Sequence, residues 1–239
     1  MKLFTKKDVA VQKVGRNPTC FSRLENVKKI GFSPKIIFDC GASIGAWTSE
    51  VSKMFPGSQL VSVEPNKIII NQLKENTSWI TPKPIIINGA VGEKPGKGCL
   101  NIWDNDETKM SGSSLKEHVQ GEPKQKMEIV VYTLDGIAQE LKIKPELIKL
   151  DLQGGEIEAL MGAEQILKKT EMFIIEFGVL DAYINRSTPR RLLDVMFDND
   201  YCLYDVVDLI YRPYDDALTG GDFFFVKNSC LLRQYKGYS

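Results

Sequence analysis

Four carboxylates stand directly after short apolar runs: Asp39 after Ile36 to Phe38, Glu64 after Leu60 to Val63, Asp151 after Leu147 to Leu150, and Glu176 after Met172 to Ile175. Side chains of this type accept hydrogen bonds from hydroxyls, balance an ammonium group and take up protons. Any one of them could equally be a solvent-facing strand end or a helix cap, so the weight rests on their combination. The segment Asp39-Cys40-Gly41-Ala42-Ser43-Ile44-Gly45 adds a turn in which Gly41 and Gly45 let the backbone bend sharply and approach a ligand closely. A turn for a nicotinamide dinucleotide would carry glycines where this chain has Ser43 and Ala46. Asp39 is also poorly placed beside a dianionic pyrophosphate.

S-adenosylmethionine fits the same charges better. It has no phosphate, its ammonium can be balanced by Asp39 directly or through the adjoining backbone, and its carboxylate can sit toward the helix N-terminus. Asp39, Gly41, Ala42, Ser43 and Gly45 are therefore read as cofactor-binding residues. Glu64, after the next strand, suits a pair of ribose hydroxyls, which both adenosine cofactors possess. Pro65, Gly89 and Ala90 are placed at the adenine.

The elements that position these residues alternate. From Lys35 onward, β-rich apolar runs exchange with helical patterns, the order that builds a parallel sheet with helices on both faces. Strands are expected at Ile36 to Phe38, Leu60 to Val63, Ile85 to Ile87, Leu147 to Leu150 and Met172 to Ile175, with further strands at Cys99 to Trp103 and Glu128 to Tyr132. Helices are expected from Trp47 to Met54, from Lys67 to Asn76, from about Leu134, and from Glu156 onward through Ile157, Leu160, Met161, Ile166 and Leu167. Pro189 to Phe197 reads as another helix. Two extended segments, Cys202 to Tyr211 and Asp222 to Lys227, read as an antiparallel hairpin turning at Thr219-Gly220-Gly221. In such a sheet, ligands bind beyond the carboxyl ends of the strands, where the four carboxylates fall. Residues 1–34 read as an arm with a short helix near Leu24 to Ile30, and residues 35–239 as one catalytic domain.

Composition narrows the partners. Lys plus Arg equals Asp plus Glu at 31 each, so no overall field draws the chain to nucleic acid or an anionic membrane. Cys20, Cys40, Cys99, Cys202 and Cys230 form no Cys-x-x-Cys pair, against a zinc module or a disulfide framework. The early charges Lys2, Lys6, Lys7 and Asp8 precede no signal-type apolar core, and no run approaches the ~20 residues of a membrane span. A cytoplasmic protein acting on a small molecule is expected.

Three segments, Phe38 to Gly45, Val63-Glu64-Pro65-Asn66 and Ile148 to Glu156, resemble the signature blocks of the FkbM family of methyltransferases in order and spacing. Asn88 to Val91, Tyr132 to Asp135 and Ile174 to Glu176 resemble its weaker blocks, so the likeness runs from about residue 35 to about 210. The resemblance implies a class I methyltransferase with a Rossmann-like α/β fold. It also implies S-adenosylmethionine as cofactor and an acceptor that is a hydroxyl oxygen of a sugar or secondary metabolite. Ser43 replaces a common Asn, and Gln153 replaces a common acidic residue, removing a carboxylate from the substrate side.

Methyl transfer is an in-line displacement that mainly needs alignment and exclusion of water, with a base to help remove the acceptor's proton. Asp151, Glu156 and Glu176 are the catalytic candidates. Asp151 either holds the methionine amino group or faces the acceptor, and Glu156 sits where carboxylates also serve the helix dipole alone. His118, in the loosely patterned stretch from Gly89 to Gln125, reads as a solvated surface histidine. No spacing calls for a metal. Two other readings stay open: a non-catalytic cofactor-binding scaffold, and a nicotinamide-dependent oxidoreductase on the same fold.

Overall fold

The computed structural model describes residues 17–103, 113–117, 121–180, 184–235 and 237. In chain order its elements begin α1 (Cys20–Lys29), β1 (Ile36–Cys40), α2 (Ala46–Met54), β2 (Gln59–Glu64), α3 (Ile70–Asn76), β3 (Ile85–Asn88), β4 (Ala90–Val91) and β5 (Gly96–Ile102). They continue β6 (Gln125–Tyr132), α4 (Leu134–Leu141), β7 (Leu147–Leu150), α5 (Glu156–Met161), β8 (Met172–Gly178), α6 (Pro189–Asp198), β9 (Tyr201–Tyr211) and β10 (Leu218–Lys227).

Seven of these strands form one sheet in the order β3-β2-β1-β7-β8-β10-β9, parallel from β3 to β8, with β10 antiparallel to both of its neighbours. The order reverses between β1 and β7, which makes the carboxyl ends of those two strands the natural ligand crevice. The strands are almost continuously apolar because both faces are covered. Alternate residues point to opposite sides. Phe38, Val61, Ile148, Phe173 and Phe225 pack with Ile137 of α4, Ile157 and Leu160 of α5 and Leu192 of α6. Ile37, Leu60, Leu147, Ile174 and Phe224 pack with Leu24 and Val27 of α1 and Val51 of α2. Thr19, Thr133 and Thr188 cap α1, α4 and α6 by accepting backbone N–H groups, and Pro189 suits the first turn of α6.

The structure differs from the sequence reading in four places. The hairpin turns at residues 212–217, where Arg212 binds Asp215 and its N–H reaches Ala217, while Gly220 and Gly221 lie inside β10. Those glycines mark tight packing instead of a turn: a Cβ on Gly220 would stand 2.6 Å from the Phe177 carbonyl oxygen. The helix expected from Lys67 begins at Ile70, because Asn66 Oδ1 accepts the Ile68 N–H and holds the intervening residues as a turn. The helix after Gly155 ends at Met161, which is 53% exposed, and Ile166 and Leu167 are buried from a following turn. Finally, β5 and β6 do not join the main sheet. With β4 they form a separate three-stranded sheet whose apolar face, Leu100, Ile102, Met127 and Ile129, packs near Ile69.

Candidate active site

At the β1–β7 switch, the turn after β1 is shaped by close backbone approach. Gly41 has φ +85°, and a Cβ there would lie 1.9 Å from the carbonyl oxygen of Asp151 at the end of β7. Only glycine lets the two strand ends close to this distance. The N–H groups of Gly41 and Ala42 both donate to the Val63 carbonyl, so the turn folds over the end of β2. Glu64, 6% exposed, then accepts the N–H of Ser43 at 2.8 Å and that of Asn66 at 2.8 Å. Asn88 donates to the Glu64 and Pro65 carbonyls, which ties β3 to the same edge.

These strand ends wall a cavity. Gly41, Ser43, Glu64, Pro65, Gly89 and Ala90 line one side, and Asp151, Leu152 and Gln153 the other. Ser113, Ser114 and Leu115 close over it: Ser114 exchanges backbone hydrogen bonds with Asn101 and donates its hydroxyl to the Gln153 carbonyl at 2.8 Å. Of the residues read as cofactor-binding, Gly41, Ser43, Glu64, Pro65, Gly89, Ala90 and Asp151 meet here.

Asp39, Ala42 and Gly45 do not line it. Asp39 is fully buried under the turn, where one oxygen accepts the Thr48 hydroxyl at 2.6 Å and the other has no hydrogen-bond partner. Burial raises its carboxyl above the ordinary range, against the pull of Lys149 and Thr48. The carboxyl groups that reach the cavity are Glu64 and Asp151, and the charge argument made for Asp39 passes to Asp151, the one whose surroundings favour the anion. Gly45 starts α2 at φ +86° with its Cα face against Leu73 and Thr77. Ala42 packs into a small apolar cluster with Ile70 and Leu73.

A profile of the FkbM methyltransferase domain matches residues 39–203, which runs from the end of β1 to the start of β9 and takes in every residue that lines this cavity. The chain belongs to the FkbM methyltransferase family. The 2-O-methyltransferase NoeI of Sinorhizobium fredii is 22% identical over 67% of this chain and 70% of its own length. A crystal structure of an FkbM methyltransferase from Methylobacillus flagellatus superposes with a TM-score of 0.51 at 21% identity, covering 80% of this chain. This chain spans only 43% of that protein's length. Aeropyrum pernix fibrillarin, solved with S-adenosylmethionine bound, gives a TM-score of 0.50 at 11% identity over 85% of this chain and 73% of its own. These two likenesses bear on the fold, that of class I methyltransferases. Membership makes this a methyltransferase domain with S-adenosylmethionine as methyl donor, and the cavity fits that group: a tight glycine turn at one wall, and the buried carboxyl of Glu64 facing in from β2.

Further charged groups of this FkbM domain lie beside the cavity. Lys149 Nζ, buried, stands 2.7 Å from Asp151 Oδ2, and Gln153 Nε2 donates to Asp151 Oδ1 at 3.0 Å and to Glu176 Oε2 at 3.1 Å. Burial disfavours the Asp151 anion, but the Lys149 charge and the hydrogen bonds outweigh it and hold the carboxyl below its ordinary value. Glu176 is driven well above its ordinary value by burial, with the Asp151 and Glu156 charges adding to it. The two carboxyl groups are thus pushed in opposite directions. Glu156 lines no cavity: its Oε1 accepts the N–H groups of Leu152 and Gly154 and fixes the turn that presents Gln153.

Sequence reasoning did not single out Lys149, Asp208 or Asp222. Lys149 had a signal, a charge inside the apolar run Leu147 to Leu150. Asp222, between two glycines and three phenylalanines, had one too, masked by reading the glycines as a turn. His118 lies outside the described residues. Among the described residues, no helix is long and apolar enough to cross a membrane.

Proposed function

We propose that this domain methylates a hydroxyl oxygen of a sugar or sugar-bearing metabolite. The observation that carries the reading is the shared wall: Asp151 and Gln153 line the cavity of the β1–β7 switch and also a second cavity on the β8–β10 side, so donor and acceptor can meet across them. Gly41, Ser43 and Glu64 would hold the cofactor's amino acid end and ribose, and Pro65, Gly89 and Ala90 its adenine. When bound, S-adenosylmethionine supplies an electrophilic methyl group on a sulfonium. The chain's part is to place the acceptor oxygen, exclude water and receive a proton.

Asp151 and Glu176 are the groups for that proton. Asp151, which Lys149 and Gln153 keep below its ordinary value, is within the shared wall, and Glu176, driven upward by burial, stands beside it. Glu156 acts at one remove, by fixing the turn. NoeI, named as a 2-O-methyltransferase, supports oxygen as the acceptor atom. The same reading puts the protein in the cytoplasm, in keeping with five unpaired cysteines, Cys20, Cys40 and Cys230 among them buried. The test is incubation with methyl-labelled cofactor and a panel of glycosides, alcohols and amines. Label in glycosides at oxygen is expected; label only in amines, or none with cofactor bound, overturns the reading.

A further inference from the structure

The second cavity, about 370 Å³, is lined by Asp151, Gln153 and Glu176 on one side and by Asp208, Asp222 and Arg186 on the other. Its volume is of the size that encloses a small ligand. Asp222 of β10 lies directly opposite Glu176 of β8 in the antiparallel ladder, so both carboxyl groups project from the same face into one space. Two carboxyl groups directly opposite one another weaken a sheet when both are ionised, and partial burial disfavours that state further. Among the described residues nothing donates a hydrogen bond to Asp222. Of the neighbouring cations, Lys149 pairs with Asp151 at 2.7 Å while its charge also acts on Asp222, and Arg186 gives one N–H to the Leu180 carbonyl at 3.0 Å. Asp208, held at φ +48° beside a bulge, brings a third carboxylate, one oxygen of which accepts the Cys20 N–H at 2.7 Å. A fold that crowds acidic side chains at the mouth of a cavity retains a local cost, and such costs gather at functional sites.

We propose that Asp222 is a specificity-determining residue which, with Glu176 across the ladder, binds adjacent hydroxyl or amino groups of a non-anionic glycoside and turns phosphorylated or carboxylated sugars away. This rests on the methyltransferase reading for the place of the acceptor, since the cavity shares Asp151 and Gln153 with the donor side. Carboxylates suit the task because each accepts from two donors, and vicinal hydroxyls or an ammonium supply them. An anionic acceptor would meet the three carboxyl groups of Asp151, Asp208 and Asp222 against the single guanidinium of Arg186 on the wall. Burial pushes the Asp222 carboxyl up to about 6, so it is ionised in neutral solution.

The test uses the full chain with S-adenosylhomocysteine present and ligand-observed NMR on three probes: a methyl glucoside, a methyl glucosaminide and a methyl glucuronide. The wild type should bind the first two at least about tenfold more tightly than the glucuronide. Asp222→Asn should lose about tenfold on those two, narrow the gap to the glucuronide, and leave S-adenosylhomocysteine affinity unchanged. Equal wild-type binding of the glucuronide, or no binding of any neutral or amino glycoside, overturns the proposal without recourse to a variant. So does an Asp222→Asn protein that holds the cofactor product normally and keeps wild-type glycoside affinities. Failure of S-adenosylhomocysteine itself to bind would count against the methyltransferase reading, and the glycoside preference can be measured in its absence.

Discussion

Gly41→Ala is the substitution for which the structure gives the sharpest consequence. The added Cβ would stand 1.9 Å from the Asp151 carbonyl oxygen and 2.9 Å from its carbon, distances that real Cβ contacts do not show, so the ends of β1 and β7 must part by about 1 Å. A Cβ at φ +85° adds roughly 1 to 2 kcal/mol of backbone strain, and loosening the Asp151 N–H bond to the Cys40 carbonyl, now 3.0 Å, adds about 1 kcal/mol. A loss of roughly 2 to 3 kcal/mol should move the urea midpoint down by about 1 M. Displacement by about 1 Å of the wall that carries Asp151 should also weaken cofactor binding strongly, on the order of 100-fold. Gly57 provides the control, because it has φ +87° with nothing within 4 Å of an added Cβ and lies away from the cavity. Gly57→Ala should show the strain alone, with cofactor affinity unchanged. The reasoning is refuted if Gly41→Ala loses no more stability than Gly57→Ala and binds S-adenosylmethionine as the wild type does.

Two further predictions concern buried carboxyl groups. Burial pushes Glu64 up to about 7 from 4.5, against the hydrogen bonds of Asn66 and Ser43, so the native state keeps a proton that the unfolded chain has released between those values. Its contribution to stability is full below about pH 4.5 and is lost as pH rises through about 7, a change of about 3 kcal/mol. Urea midpoints of the wild type minus those of Glu64→Gln should therefore fall across that window; a constant difference contradicts the assignment. Thr48→Val removes the 2.6 Å hydrogen bond to buried Asp39, whose other oxygen has none, and should cost roughly 2 to 3 kcal/mol in thermal unfolding, whereas Thr48→Ser should cost about 1 kcal/mol or less. An undiminished Thr48→Val melting temperature would show that Asp39 does not depend on this contact.

The strands and their ends were readable because both faces of the sheet are covered, which leaves β1, β2, β7 and β8 as apolar runs that stop at a carboxylate. The cavity walls contributed by Gly41, Ser43, Glu64 and Asp151 followed from those ends. What the sequence hid was direction and distance. Asp39 precedes the glycine turn, yet its strand position points it beneath the sheet edge toward Thr48, an orientation set by the pleat and by the packing of α2. Gly220 and Gly221 have the composition of a turn, and only the approach of the β8 and β9 backbones shows that they serve a strand. Glu156 has the position of a catalytic carboxylate, and its bonds to the Leu152 and Gly154 N–H groups are local contacts that spacing does not reveal. Asp222 acquires its meaning from a cross-strand partner, Glu176, far away in the chain.

The measurement that bears most directly on the account is calorimetric titration of the wild type and Glu64→Ala with S-adenosylmethionine, and of the wild type with NADH. One saturable site for S-adenosylmethionine is expected, none for NADH, and a loss of roughly 3 kcal/mol in Glu64→Ala, about 100-fold in affinity, for two hydrogen bonds to a buried carboxyl group. Absence of saturation at millimolar S-adenosylmethionine, tighter binding of NADH, or an unchanged affinity in Glu64→Ala would contradict it.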